Sequence, residues 1–127
     1  MGALTKVALI ALGGALGALG RVGVGELMTS RFGKAELGTL AANLIGCFLM
    51  GVGKAAIAHL EWGSPEVRTL VFSGFLGAFT TFSTFEADAF GLWQQGERVM
   101  AATYLTGSVL GGVAAFVFGW WLVSRGR

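Results

Sequence analysis

The chain predicts an all-α membrane protein of four transmembrane helices, the third broken near its middle. Three observations carry this. Over 127 residues it is 54% apolar and only 13% charged, about half the ~25% charge of a typical soluble domain. Its mean hydropathy is +0.72. Its apolar residues fall into four runs that charged connections separate. The 22 glycines agree, because glycine is commoner in membrane helices than in soluble ones. Residues 1–127 read as one transmembrane domain, with spans at roughly 4–28, 37–58, 67–92 and 99–124.

The first span opens on the charge-free run Val7 to Gly20 and continues through Arg21 toward Met28. Lys6 followed by apolar residues imitates a secretion signal. Gly13, Gly14, Gly17 and Gly20 interrupt that pattern, and the apolar character continues beyond it, which favours a first span. The second and third runs are Leu37 to Gly53 and Thr69 to Phe85. About 20 helical residues cross a hydrocarbon core, so both borrow flanking residues. Lys54 suits this, since its stem lies in apolar surroundings while its ammonium reaches water. The fourth run, Val99 to Ser124, is long enough alone.

The connections are short: Thr29 to Glu36, His59 to Glu66 with the single proline, and Trp93 to Arg98. None can hold a soluble domain. Trp62, Trp93, Trp120 and Trp121 sit at span ends, where interfacial aromatics belong. One side carries Lys6, Lys54, Arg68, Arg125 and Arg127; the other carries Arg31, Lys34 and Arg98. So weak a positive-inside bias permits insertion both ways, and with it an antiparallel dimer. The pairs Gly13/Gly17 and Gly107/Gly111 let backbones approach closely, either within one subunit or between two.

Composition also excludes. The net charge of +2 is scattered and forms no stripe for nucleic acid. The lone Cys47 has no disulfide partner in the chain. The lone His59 lies near the end of the second span, no Cys/His cluster has metal-ligand spacing, and no nucleophile sits beside a base. An enzyme is not expected.

The third span carries the chemistry. Its stretch "GAFTTFSTF", Gly77 to Phe85, is oily and rich in hydroxyls at once. On an ideal helix Phe72, Phe75, Phe79 and Phe82 form one stripe, and Thr69, Ser73, Thr80 and Thr84 another. One account is a packing face with hydroxyls bonded to their own helix. The other is a break, because Gly74 and Gly77 precede the β-branched Thr80, Thr81 and Thr84. A broken backbone at membrane depth survives only where protein buries it or where it lines a wet cavity, and ion sites are often placed there. An aromatic edge is electropositive. Ring edges and hydroxyl protons can therefore strip water from an anion without trapping it, as conduction requires.

Other spans add polar groups. Asn43 offers two N–H donors and Thr39 a hydroxyl one turn earlier; the pair serves either an anion or helix association. Arg21, deep in the first span, either enriches anions in a vestibule or pairs with a carboxylate or a helix C-terminus. Tyr104 and Ser108, one turn apart, form either a polar track toward the rings or helix-packing hydroxyls. Gly112 ends the track.

With Gly20-Arg21 closing a glycine-rich first helix, "GTLAANLIG", "GAFTTFSTF" and the Tyr104/Ser108 helix, the chain resembles the Fluc family of fluoride channels along nearly its whole length. The resemblance implies an antiparallel, dual-topology homodimer in the cell's inner (plasma) membrane, with two fluoride pores built from both subunits. It implies ring edges from Phe82 and Phe85, and donors from Asn43, Ser83 and Thr84. It also implies a structural sodium ion on the dimer axis, held by the backbone carbonyls of Gly77 and Thr80, and places Arg21 near a vestibule. The implied role is passive fluoride export that relieves toxicity. Two positions depart from the family pattern: Asp88 stands where a glutamate is usual, and Gly112 lacks a hydroxyl. The alternative, a proton-coupled exporter of the small multidrug type, needs a carboxylate at the centre of the first span, whereas Glu26 lies near its end. A non-conducting membrane subunit would not need the ring-and-hydroxyl break.

Overall fold

A computed structural model describes residues 1–126; Arg127, counted above among the charges flanking the spans, lies outside the described residues. All the regular structure among the described residues is helical. Helix α1 runs Ala3–Phe32 and α2 runs Ala35–Leu60. Helix α3 covers residues 65–79, α4 runs Ser83–Gln94 and α5 runs Arg98–Ser124. Helices α1, α2 and α5 are each long and apolar enough to cross a membrane. Helices α3 and α4 together form the broken third span, interrupted at residues 80–82.

The helix ends follow local chemistry. Helix α1 runs past Met28 to Phe32 and stops at Gly33, whose left-handed φ of 69° lets its N–H reach the Thr29 carbonyl at 2.8 Å. Pro65 opens α3 with its φ already helical, and the Ser64 hydroxyl accepts from the Val67 N–H at 3.3 Å. After a first α-helical turn, α3 widens into π-helix over Thr69–Leu76 and tightens again over Gly77–Phe79. So long a π stretch is rare and marks functional regions.

Glycines set the packing, as they do where membrane helices cross closely. A methyl group on Gly13 or Gly17 of α1 would run into backbone of α3 at Leu70 and Phe75. The Gly13/Gly17 pair therefore acts within the subunit. Gly51 of α2 lies on the Phe116 carbonyl of α5, and Gly119 of α5 lies on the Phe48 carbonyl of α2. A methyl group on Gly107 would meet no other element within 4 Å among the described residues. The buried cluster is small: Phe85, Ala89 and Leu92 of α4 against Ala101 and Tyr104 of α5, with Leu40 beside them. Large apolar side chains such as Leu4, Leu19, Val99 and Leu110 face outward, as lipid contact requires.

Candidate functional site

The interruption lies at Thr80–Phe82, not at Gly77. Gly77 keeps helical angles (φ −61°, ψ −33°), whereas Thr80 is extended (φ −84°, ψ 153°). The notion that Gly77 shapes the break is thereby corrected. The physical reason is Thr80 itself. Its N–H and its hydroxyl both donate to the Leu76 carbonyl, at 3.2 and 3.1 Å, which closes the helix on its own last turn. Gly46 of α2 makes room opposite, since a Cβ there would strike the Thr80 methyl.

Two neighbouring helices hold the break. Asn43 of α2 donates from Nδ2 to the Thr81 carbonyl at 3.0 Å, and its Oδ1 accepts the Thr81 N–H at 2.8 Å. Arg21 of α1 donates from Nε to the Ala78 carbonyl at 3.2 Å. Of its two pairing alternatives, a helix C-terminus rather than a carboxylate is the one observed, and the bond complements the negative end of α3. The Gly77 and Thr80 carbonyls receive no hydrogen bond among the described residues. On the other side of the break, the Thr81 hydroxyl donates to the Thr84 hydroxyl at 3.2 Å and accepts the Thr84 N–H at 3.4 Å, which satisfies one free N–H in the first turn of α4.

Two cavities flank this segment, and Thr81 lines both. The first, about 400 Å³, is largely apolar and carries Asn43, Phe82, Phe85 and Ser108 on its wall. The buried Ser108 hydroxyl has no hydrogen-bond partner among the described residues. The second, about 540 Å³, is lined by Arg21, Glu26, Thr39, Thr84 and Asp88.

Each expected residue can now be placed. Asn43, Phe82, Phe85 and Ser108 share the first cavity, while Thr39, Thr84 and Arg21 share the second. Phe82 is 73% exposed, its ring centroid 5.9 Å from that of the buried Phe85. The break divides the ring stripe, leaving Phe75 stacked on Phe79 at 5.6 Å on the α3 side. Ser83 is exposed and lines neither cavity. Tyr104 also lines neither: it packs on Phe85 at 5.2 Å and donates to Asp88 Oδ2 at 3.2 Å. Tyr104 and Ser108 thus serve different surroundings rather than one continuous track. Thr81 and the Ala78 carbonyl were not singled out as site groups; only the threonine pair in "FTTF" hinted at the first. Among the described residues no group of histidine, cysteine and carboxylates gathers as a metal cluster.

A helix interrupted at membrane depth, clamped by neighbouring spans and flanked by cavities, defines a multi-pass membrane protein with a site at a discontinuous helix. Residues 8–120 match the family model described as CrcB-like protein, Camphor Resistance (CrcB). Among similar proteins, the fluoride-specific ion channel FluC of Rhizobium etli (strain CIAT 652) is 45% identical over 112 residues, covering 87% of this chain and 90% of that one. The protein of the same name from Paracoccus denitrificans is 42% identical, covering 87% of both chains. That from Chloroflexus aurantiacus (strain J-10-fl) is 40% identical over 91% of this chain and 93% of its own. The chain belongs to the CrcB-like family, a family of ion channels, and is a multi-pass protein of the plasma membrane.

Proposed function

We propose that the chain is a passive, fluoride-selective channel that lets fluoride leave the cell. The observation that carries this is its 40–45% identity, over most of its length, to proteins named fluoride-specific ion channels. The break supplies a physical rationale. It brings the positive, N–H end of α4 and the negative, carbonyl end of α3 to one place. On the α4 side lie ring edges of Phe82 and Phe85 and hydroxyls of Ser83 and Thr84. Asn43 and Ser108 on the first cavity and Thr39 on the second extend this set of donors, with Tyr104 behind Phe85, its hydroxyl on Asp88. All are neutral donors. They offer a small anion replacements for water without a full charge that would hold it. Arg21, on the second cavity, keeps guanidinium donors beyond the one on Ala78 and raises anion concentration in that vestibule.

The working unit in this reading is an antiparallel homodimer. Ser73, Gly77, Phe82 and Ser83 are exposed on the outer side of the interrupted span, and a second copy would cover polar groups otherwise set against lipid. A sodium ion fits the α3 side. The Gly77 and Thr80 carbonyls are uncommitted, and hard cations take oxygen ligands; two copies would present four. Bound there, the ion would supply positive charge that neutralises facing carbonyl ends.

Expression in cells lacking their own fluoride exit route tests the function. Growth at raised fluoride should be restored by the wild type. Failure to restore growth, with the protein present in the membrane, contradicts it.

A further inference from the structure

We infer that Asn43 is a positioning residue for the cation end of the break, acting through the Thr81 amide to keep the Gly77 carbonyl free. In an unbroken helix the Thr81 N–H would donate to the carbonyl four residues earlier, which is that of Gly77. Here it donates instead to Asn43 Oδ1 at 2.8 Å, while Asn43 Nδ2 donates to the Thr81 carbonyl at 3.0 Å. The amide of Asn43 therefore replaces a backbone partner on both faces of one residue. A partly buried N–H must be paired. Without Asn43, its natural acceptor is Gly77, and the helix closes over the oxygen the cation needs.

The rest of the junction agrees. Leu76 takes both Thr80 donors, Arg21 takes Ala78, and the oxygens of Gly77 and Thr80 stay uncommitted. Asn43 thus touches both ends of the break. It borders the anion-side cavity and, through Thr81, sets the carbonyl side. A pure anion donor would need only its N–H groups. The acceptor bond from Oδ1 has no use in anion binding, and it is the shorter of the two.

The inference rests on the sodium reading of Gly77 and Thr80, and its test reads sodium rather than fluoride alone. Purified wild type, Asn43→Asp and Asn43→Leu are melted in detergent across a sodium titration, with N-methylglucamine as replacement cation. Fluoride efflux is measured in parallel. The wild-type melting midpoint should rise with sodium. Asn43→Asp keeps an acceptor for the Thr81 N–H and should keep that rise, even where its efflux drops. Asn43→Leu should lose it. Asn43→Ser, whose hydroxyl is too short to reach the Thr81 N–H, serves where the leucine variant fails to fold, and should also lose the rise. A full wild-type sodium shift in Asn43→Leu or Asn43→Ser overturns the inference. A wild type that melts independently of sodium overturns it together with the sodium reading, and leaves the fluoride reading standing on its own flux.

Discussion

Phe82 and Phe85 stand three residues apart in the same motif, yet the structure gives them opposite costs. Phe82 is 73% exposed and Phe85 is 5% exposed, packed on Tyr104. Phe82→Ile should therefore change the stability of the single chain by less than about 0.5 kcal/mol, as for other exposed positions. Its fluoride efflux should still fall by about tenfold, the loss of roughly 1.4 kcal/mol of contact with the ion. Unchanged efflux would remove Phe82 from the pathway. Phe85→Ala should cost about 3–5 kcal/mol by emptying the α4–α5 core, so lost efflux there would say nothing about the ion. Tyr104→Phe removes one hydrogen bond to Asp88, worth about 1–3 kcal/mol, and lowers the melting midpoint without emptying the core. A midpoint equal to wild type would show that the bond contributes nothing. The sequence showed which residues were polar in an apolar setting. It did not show which bond they make. That Asn43 pairs with Thr81 depends on the register of α2 against the break, and register between helices has no local signal.

At the scale of elements, the four crossings were legible because charge is expensive in hydrocarbon, and charged residues therefore mark span ends. The interruption was legible from glycines ahead of β-branched residues. Its position was not, because Gly77 stays helical while Thr80 closes the helix with its own hydroxyl. The π-helical stretch of α3 was also hidden. It lies where Gly13 and Gly17 bring α1 onto its backbone, a contact that belongs to two distant segments. Those glycines make a prediction. Gly17→Ala drives a Cβ into the Phe75 carbonyl and should cost about 1–3 kcal/mol as overpacking. Gly107→Ala meets open space and should leave the chain's melting midpoint in place. Equal midpoints for the two variants would contradict the packing of α1 on α3.

For the whole molecule, the weak charge bias between the two sides and the exposed Ser73, Gly77, Phe82 and Ser83 of the interrupted span are what the proposed pair of oppositely inserted copies rests on. A tag at the N-terminus should then be accessible from both sides of the membrane in roughly equal amount. Access from one side alone would exclude the dual-topology dimer. The central claim, that the chain conducts fluoride selectively, is tested most directly by anion efflux from liposomes holding the purified protein, read with fluoride and chloride electrodes. The account predicts fast fluoride efflux with little chloride efflux. Absent fluoride efflux, or equal efflux of both anions, would contradict it.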